Sequence, residues 1–287
     1  MKKILLIGKY GQLGQEIIRD AGDFGFKVFA FDREQIDVKN ESLIEQEIRT
    51  IKPDILINTS AYHVLSQCEK NSTEAMLVNF VAVRNMAKLC KKYNILFVTY
   101  STDYVFDGKK KSLYDENDKP SPLQMYGMSK LAGEYAVLSV YPKGSFIIRT
   151  CGLYGGKNGS PVKGNFVLNI INEAKNKKIL NVGSGQVVSP TYAGDLSKAT
   201  LKLLNETNNF GVYHLINEGS CSWYDFAVEI MRLKSINIDI NPVKVIGLNG
   251  IIKRPQYSAL KNVKAKMLGV ELPSWKEGLK SYIKQII

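Results

Sequence analysis

Five short runs of nearly unbroken apolar residues punctuate the first 150 positions: KILLI (3–7), KVFAF (27–31), DILIN (54–58), ILFVTY (95–100) and SFIIRT (145–150). Each is strand-sized and rich in β-branched and aromatic side chains. The segments between them, at 12–21, 41–51, 72–93 and 126–140, carry helical periodicity. A strand apolar on both faces must be covered on both faces, which places it in a parallel sheet between helices. Right-handed β-α-β crossovers then give a doubly wound α/β fold. After about residue 150 the rhythm loosens. Glycine-rich loops (GLYGGKNGS, NVGSGQVVSP) alternate with helices near 166–177, 194–206, 222–234 and 275–287, and short strands are expected at VYHLI (212–216) and VKVIG (243–247).

Three glycines narrow the first domain further. Gly8, Gly11 and Gly14 form G-x-x-G-x-x-G at the end of the first strand and the start of the first helix. In that register they let the backbone approach a pyrophosphate, and the helix N-terminus offers free N–H groups and positive dipole. A plain strand-to-helix turn asks for one glycine rather than three. Asp32 closes the second strand, 18 residues beyond Gly14, where a carboxylate meets the adenosine ribose hydroxyls. Arg33 beside it suits a 2′-phosphate, so NADPH and NADH both stay open. Asp37 falls where the adenine edge is expected. We therefore read 1–150 as an NAD(P)-binding Rossmann domain. Residues 151–287 form mainly a smaller α/β substrate lobe, with some segments returning to the first domain.

The fourth strand runs directly into YSTDYVFDG (100–108), and the helix opened by MYGMSK follows. Ligands of a doubly wound sheet sit outside the carboxyl ends of its strands. Ser101, Thr102 and Asp103 thus reach the cofactor's edge, with Tyr126 and Lys130 on the same rim. Reducing a carbonyl requires a proton donor near its oxygen and a hydroxyl to hold that oxygen. A positive charge is also needed to lower the tyrosine pKa toward working pH. Tyr126, Thr102 and Lys130 fit those three roles.

Composition excludes several other classes. The longest apolar runs are far short of a membrane span. Two lysines precede four apolar residues in MKKILLIGKY, but the run leads into glycine without a small-residue cleavage site, so it reads as a first strand in a cytoplasmic protein. Cys68, Cys90, Cys151 and Cys221 match no metal or redox spacing and are expected as reduced, buried thiols. With only His63 and His214 present, no multi-histidine metal site is expected. The net charge of +12 is spread along the chain, apart from KKK at 109–111. It favours an anionic small molecule rather than nucleic acid, for which no module signature exists.

Taken in order, the motifs GQLG (11–14), FDREQIDV (31–38), INTSAYH (57–63), VNF (78–80), STDYVFDG (101–108), SPLQMYGMSKLAGE (121–134), RTCGLYG (149–155), NFV (165–167), SPTY (189–192), SWYDFA (222–227) and RPQYSAL (254–260) span almost the whole chain. In this set the chain resembles the extended short-chain dehydrogenase/reductases of the dTDP-4-dehydrorhamnose reductase family. The resemblance implies NAD(P)H-dependent reduction of the C4 keto group of a nucleoside-diphosphate 4-keto-6-deoxy sugar. It makes Tyr126 the general acid, Lys130 its partner and a contact to the nicotinamide ribose, and Thr102 the hydroxyl on the keto oxygen. It puts Gln12, Leu13, Ser60, Ala61, Tyr62 and Asn79 along the cofactor. Asp103, Val105, Asn165, Gln186 and Arg254 fall on the nucleotide-sugar side, where an arginine fork suits a diphosphate. For Asn165 and Gln186, plain loop hydrogen bonding is an equal alternative. The resemblance also admits a homodimer.

The chain departs from the family pattern twice. Ser66 stands where an acid is usual, and Gly152 stands where a tryptophan usually walls the sugar. The second change leaves the redox residues intact and opens the choice of sugar. A reductase or epimerase of another nucleotide sugar is one alternative. Another is a non-catalytic regulatory subunit of the kind known for methionine adenosyltransferase, which has no chemical need of Thr102, Tyr126 and Lys130. Trp223 reads as structural, at a helix start capped by Ser222 and Asp225. His214 reads as core, His63 as a rim residue, and Lys109 to Lys111 as a solvated loop.

Overall fold

In the computed structural model, which describes residues 1–157, 159, 164–244 and 252–286, the five apolar runs become neighbouring parallel strands. They are β1 (Lys2–Ile7), β2 (Phe26–Phe31), β3 (Ile55–Asn58), β4 (Leu96–Thr102) and β5 (Ser145–Thr150). A sixth, β6 (Gly211–His214), comes from the second half and pairs with β5. The order across the sheet is β6-β5-β4-β3-β1-β2. The chain steps outward from β1 to β2, then back past β1 to β3. Their carboxyl ends form the topological switch point at which such sheets bind ligands.

Both faces of the sheet are dry. Along β1, Ile4 and Leu6 pack with Leu13 and Ile17 of α1 (Gln12–Asp20), whereas Leu5 and Ile7 pack with Ile44 and Ile48 of α2 (Glu41–Ile51). Each such side chain contributes roughly 1.5–3 kcal/mol through burial, and the two-residue alternation fixes the strand's register. The expected helix over 72–93 is interrupted. A short helix, Ser72–Met76, passes through a wide turn at Leu77–Val81 into α3 (Ala82–Tyr93). That turn carries Asn79 inward, where its amide is buried.

Next come α4 (Met125–Val140) and α5 (Phe166–Asn176), then α6 (Ala193–Glu206), α7 (Trp223–Lys234) and α8 (Trp275–Gln285). Of these, α6 returns to the sheet, with Leu196, Leu201 and Leu203 in the same core as Leu13 and Ile17. α4 packs on the sheet through Val137, while α5, α7 and α8 gather around an aromatic core of Tyr154, Tyr192, Phe226, Trp275 and Tyr282. The strand expected at 243–247 differs: 245–247 lie outside the described residues, and the observed strand is Asp239–Val243, paired with Ile179–Gly183. Its sequence, DINPV, reads as a loop because of Pro242, which an edge strand accommodates. The four cysteines are buried. Among the described residues no helix is long and apolar enough to cross a membrane, and no cluster of three metal-ligating side chains occurs.

Candidate active site

The turn after β1 is built so closely that only glycine fits it. Gly8 has φ +100°, its N–H donates to Phe31 O at 2.9 Å, and Gly11 N–H donates to Gly8 O at 3.0 Å. A Cβ on Gly14 would collide with the Gly8 carbonyl, and one on Gly8 would lie 2.5 Å from Thr59 Oγ1. Gly11 is the N-cap of α1 and supplies no side-chain cap, which leaves the first N–H groups of the helix open. Gln12 Oε1 beside them is buried without a partner among the described residues. A cradle that a Cβ would fill, an uncapped helix start and an orphaned acceptor fit a dinucleotide pyrophosphate.

At the end of β2 the chemistry is less simple than the spacing implies. Asp32 is held by Lys9, whose Nζ lies 2.9 Å from its carboxylate, and Oδ1 also accepts the N–H groups of Glu34 and Gln35. The hydrogen bond from Lys9, with those from the backbone, holds the Asp32 carboxyl below its ordinary range. Asp32 is thus partnered and its charge offset. Arg33 lines the cleft and forms no ion pair among the described residues. Lys9 carries no signal in a glycine motif, so sequence reading passed over it. Asp37 turns away and accepts Lys39 N–H at 3.0 Å.

A single cleft of 1620 Å³ joins the glycine turn to the ends of β3, β4 and β5. Single-ligand sites hold roughly 300–1,000 Å³, so this one has room for two ligands. Gly8, Gly11, Gln12, Leu13, Arg33, Ser60 and Ala61 line one stretch of it, and Thr102, Asp103, Tyr126 and Lys130 another. Gly14, Asp32, Asp37, Tyr62, Asn79 and Val105 lie outside the lining. Asn79 is bonded within the protein: it accepts Tyr62 N–H at 2.9 Å and donates to Tyr62 O at 2.8 Å and Ser129 Oγ at 3.0 Å. This clamps the loop after β3 to α4.

Tyr126 and Lys130 share one face of α4, as i and i+4 residues do. The start of α4 is pinned twice. Gln124 accepts Gly127 N–H at 2.7 Å as its N-cap, and Glu69 accepts Met125 N–H at 2.8 Å. Thr102 caps the short turn Asp103–Val105, accepting Tyr104 N–H at 3.2 Å, and its hydroxyl donates to Asp103 Oδ1 at 3.2 Å. Thr102 also lies in hydrogen-bonding reach of the Tyr126 phenol. The electrostatics correct one expectation. Burial, and then the nearby Asp103, push the Tyr126 pKa up rather than down, and Thr102 offsets only part of this. The phenol is therefore fully protonated at neutral pH, the form a proton donor needs. Asp103 itself is raised to about 6 by burial, although Ser258 Oγ donates to it at 2.5 Å.

Lys130 is buried, and desolvation lowers its pKa to about 8, with the Glu134 carboxylate raising it part of the way back. Glu134 in turn receives Arg149 Nη2 at 2.7 Å and Nε at 3.0 Å, and Ser101 Oγ donates to it. Arg149 also reaches His214 Nε2 at 3.5 Å; His214 is fully buried, and burial followed by Arg149 lowers its pKa to about 3. A buried ion pair thus stands directly behind the lysine. Because Lys130 is cationic below about pH 8 and neutral above it, any activity that uses its charge should fall as pH rises past 8. A pH–rate profile should show that descending limb in the wild type and lose it in Lys130→Met. A flat wild-type profile through pH 9 would remove the charge of Lys130 from the mechanism.

On the lobe side, Arg254 lines the cleft and its Nε is buried without a partner among the described residues, which suits an incoming anion. Exposed Lys109, Lys111, Lys244 and Lys253 stand on the same walls. Gln186 lines the cleft and donates to Tyr104 Oη at 3.4 Å. Asn165 also touches the cleft, but its side chain is committed. It is the N-cap of α5, accepting Leu168 N–H at 2.9 Å, and it donates to Tyr282 Oη at 2.8 Å. Ser66 and His63 lie on the cleft wall. Trp223, read as structural, begins α7 in a full Ser222–Asp225 capping box and lines the cleft as well.

The family model described as the RmlD substrate binding domain matches residues 1–287. Among curated proteins, the chain is 34% identical to the spore coat polysaccharide biosynthesis protein SpsK of Bacillus subtilis, covering 99% of this chain and 98% of that one. It is 32% identical to the dTDP-4-dehydrorhamnose reductase of Escherichia coli K12, covering 99% and 97%. Among solved structures, the dTDP-4-dehydrorhamnose reductase of Bacillus anthracis, in complex with NADP, superposes with a TM-score of 0.92 at 34% identity over the full length of both chains.

Proposed function

Since the chain belongs to the family of the RmlD substrate binding domain, which its dTDP-4-dehydrorhamnose reductase relatives identify chemically, we propose that it reduces dTDP-4-dehydro-L-rhamnose to dTDP-L-rhamnose at C4 with NADPH. The bound nicotinamide supplies the hydride. Tyr126 gives its phenolic proton to the oxygen at C4, and Thr102 turns its hydroxyl from Asp103 onto that oxygen to orient it. Lys130 offsets the charge that develops on the phenol as the proton leaves. Arg254 takes the diphosphate with its guanidinium fork. All of these groups come from one chain. We place the reaction in the cytoplasm.

One observation supports this reading above the others. Thr102, Tyr126 and Lys130 line the same cleft as the glycine cradle and the orphaned Arg254 Nε. A purely regulatory chain would need no proton donor four residues from a buried lysine.

The test is to mix the protein with dTDP-4-keto-6-deoxy-L-mannose and reduced cofactor and follow the cofactor's absorbance. Because Lys9 offsets Asp32 and Arg33 forms no ion pair among the described residues, NADPH should be used about tenfold more efficiently than NADH, the value of one charge-assisted hydrogen bond. No oxidation with either cofactor contradicts the proposal. Equal use of both would remove Lys9 and Arg33 from cofactor choice.

A further inference from the structure

β5 ends at Thr150, and two residues later Gly152 offers the cleft no side chain. Its φ of +55° is left-handed, and a Cβ there would lie 3.2 Å from Pro190 Cα and 3.3 Å from Trp223 Cη2. The second distance is the informative one. The space over Gly152 is taken by an indole edge that arrives from α7, 71 residues later in the chain. The capping box at Ser222 and Asp225 fixes where α7 begins and hence where this ring stands. Phe166, the first residue of α5, packs on the indole with ring centroids 4.6 Å apart. Both rings line the cleft. The indole also packs against the apolar cluster that holds Val105 and Cys151. Cys151 is in hydrogen-bonding reach of Asp103, which accepts the Thr102 hydroxyl.

We propose that Trp223 is the wall against which the sugar ring of the substrate lies, and that Gly152 is bare so that the indole can occupy this place. The inference rests on the reductase reading above and names the residue that sets its sugar selectivity. A 6-deoxyhexose carries a methyl group where an ordinary hexose carries a hydroxymethyl group. An aromatic face covers the methyl and ring C–H groups well, whereas it would leave a 6-hydroxyl desolvated and unmatched. The wall also shields C4 from water next to Thr102. Gly152 and Trp223 are therefore one feature split between two segments: a side chain at 152 would press on Pro190 and on the indole edge.

The decisive measurement compares dTDP-L-rhamnose with dTDP, which lacks the sugar, binding to NADP-loaded protein. Trp223→Leu should weaken dTDP-L-rhamnose about five- to tenfold and leave dTDP unchanged, while Trp223→Phe, which keeps an aromatic face, should stay close to wild type. If Trp223→Leu binds the sugar nucleotide as well as wild type does, or loses both ligands equally, the wall assignment is overturned. Should Trp223→Leu fail to fold, fluorescence decides the matter. The only other tryptophan is Trp275, so dTDP-L-rhamnose should quench wild-type emission but not that of Trp223→Phe, and dTDP should quench neither. Equal quenching in both proteins overturns the proposal. If wild type binds neither ligand, the reductase reading itself fails, an outcome distinct from the others.

Discussion

Replacing Tyr126 with phenylalanine is expected to lower turnover by at least about 10²-fold, the usual worth of a general acid, while leaving the affinity for NADPH unchanged. The reasons are local. Tyr126 sits edge-on to Tyr104, with centroids 6.2 Å apart, and phenylalanine keeps that packing. Only the hydroxyl is lost, and with it the phenolic proton within reach of Thr102. Burial and the charge of Asp103 keep the phenol protonated, so no other ionisation should compensate at neutral pH. Single-turnover kinetics with saturating NADPH separates the chemical step from binding. Turnover within a few-fold of wild type would remove Tyr126 from its role. A loss of NADPH affinity as large as the loss of rate would show that the substitution damaged the site.

The second large effect concerns stability. Glu134→Ala is expected to destabilise the fold by about 3–5 kcal/mol, because it strands Arg149 as an uncompensated buried charge. Arg149 and Glu134 are 4% and 2% exposed, and apart from Glu134 the polar group Arg149 reaches is the uncharged His214. The same change removes the one influence that raises the Lys130 pKa, so the alkaline limb of activity should move below pH 8. Urea unfolding, read from the midpoint at constant slope, measures the first effect and a pH–rate profile the second. A loss under about 1 kcal/mol would mean that water reaches the pair and that it is a surface salt bridge in energetic terms. In that case the limb should also stay in place.

What the sequence disclosed and what it hid divide along a physical line. Local periodicity and glycine spacing act over a few residues, and they placed β1 to β5, the helix starts and the Gly8–Gly14 turn nearly to the residue. Tyr126 and Lys130 were legible because i and i+4 positions of one helix always meet. The strand at Asp239–Val243 was obscured by its own Pro242, which an edge position permits. Asn79 and Asn165 carry side chains equally suited to a ligand or to the backbone, and only the folded chain shows that backbone groups and Tyr282 take them. The Lys9–Asp32 pair and the Gly152–Trp223 contact join residues distant in sequence, so nothing local announces them. The expected fall in the Tyr126 pKa failed for a related reason. Sequence spacing put a cation nearby but carried no information on how far the cleft and Asp103 would disfavour the phenolate.

The central claim is that this chain carries a hydride to C4 of the sugar, and deuterium transfer tests it most directly. NADPH deuterated at nicotinamide C4 would be incubated with the protein and dTDP-4-keto-6-deoxy-L-mannose, and the sugar nucleotide analysed by mass spectrometry and proton NMR. The account requires dTDP-L-rhamnose one mass unit heavier, with the H4 resonance lost and the others unchanged. Recovery of an unlabelled sugar, or of label at any other carbon, would contradict it.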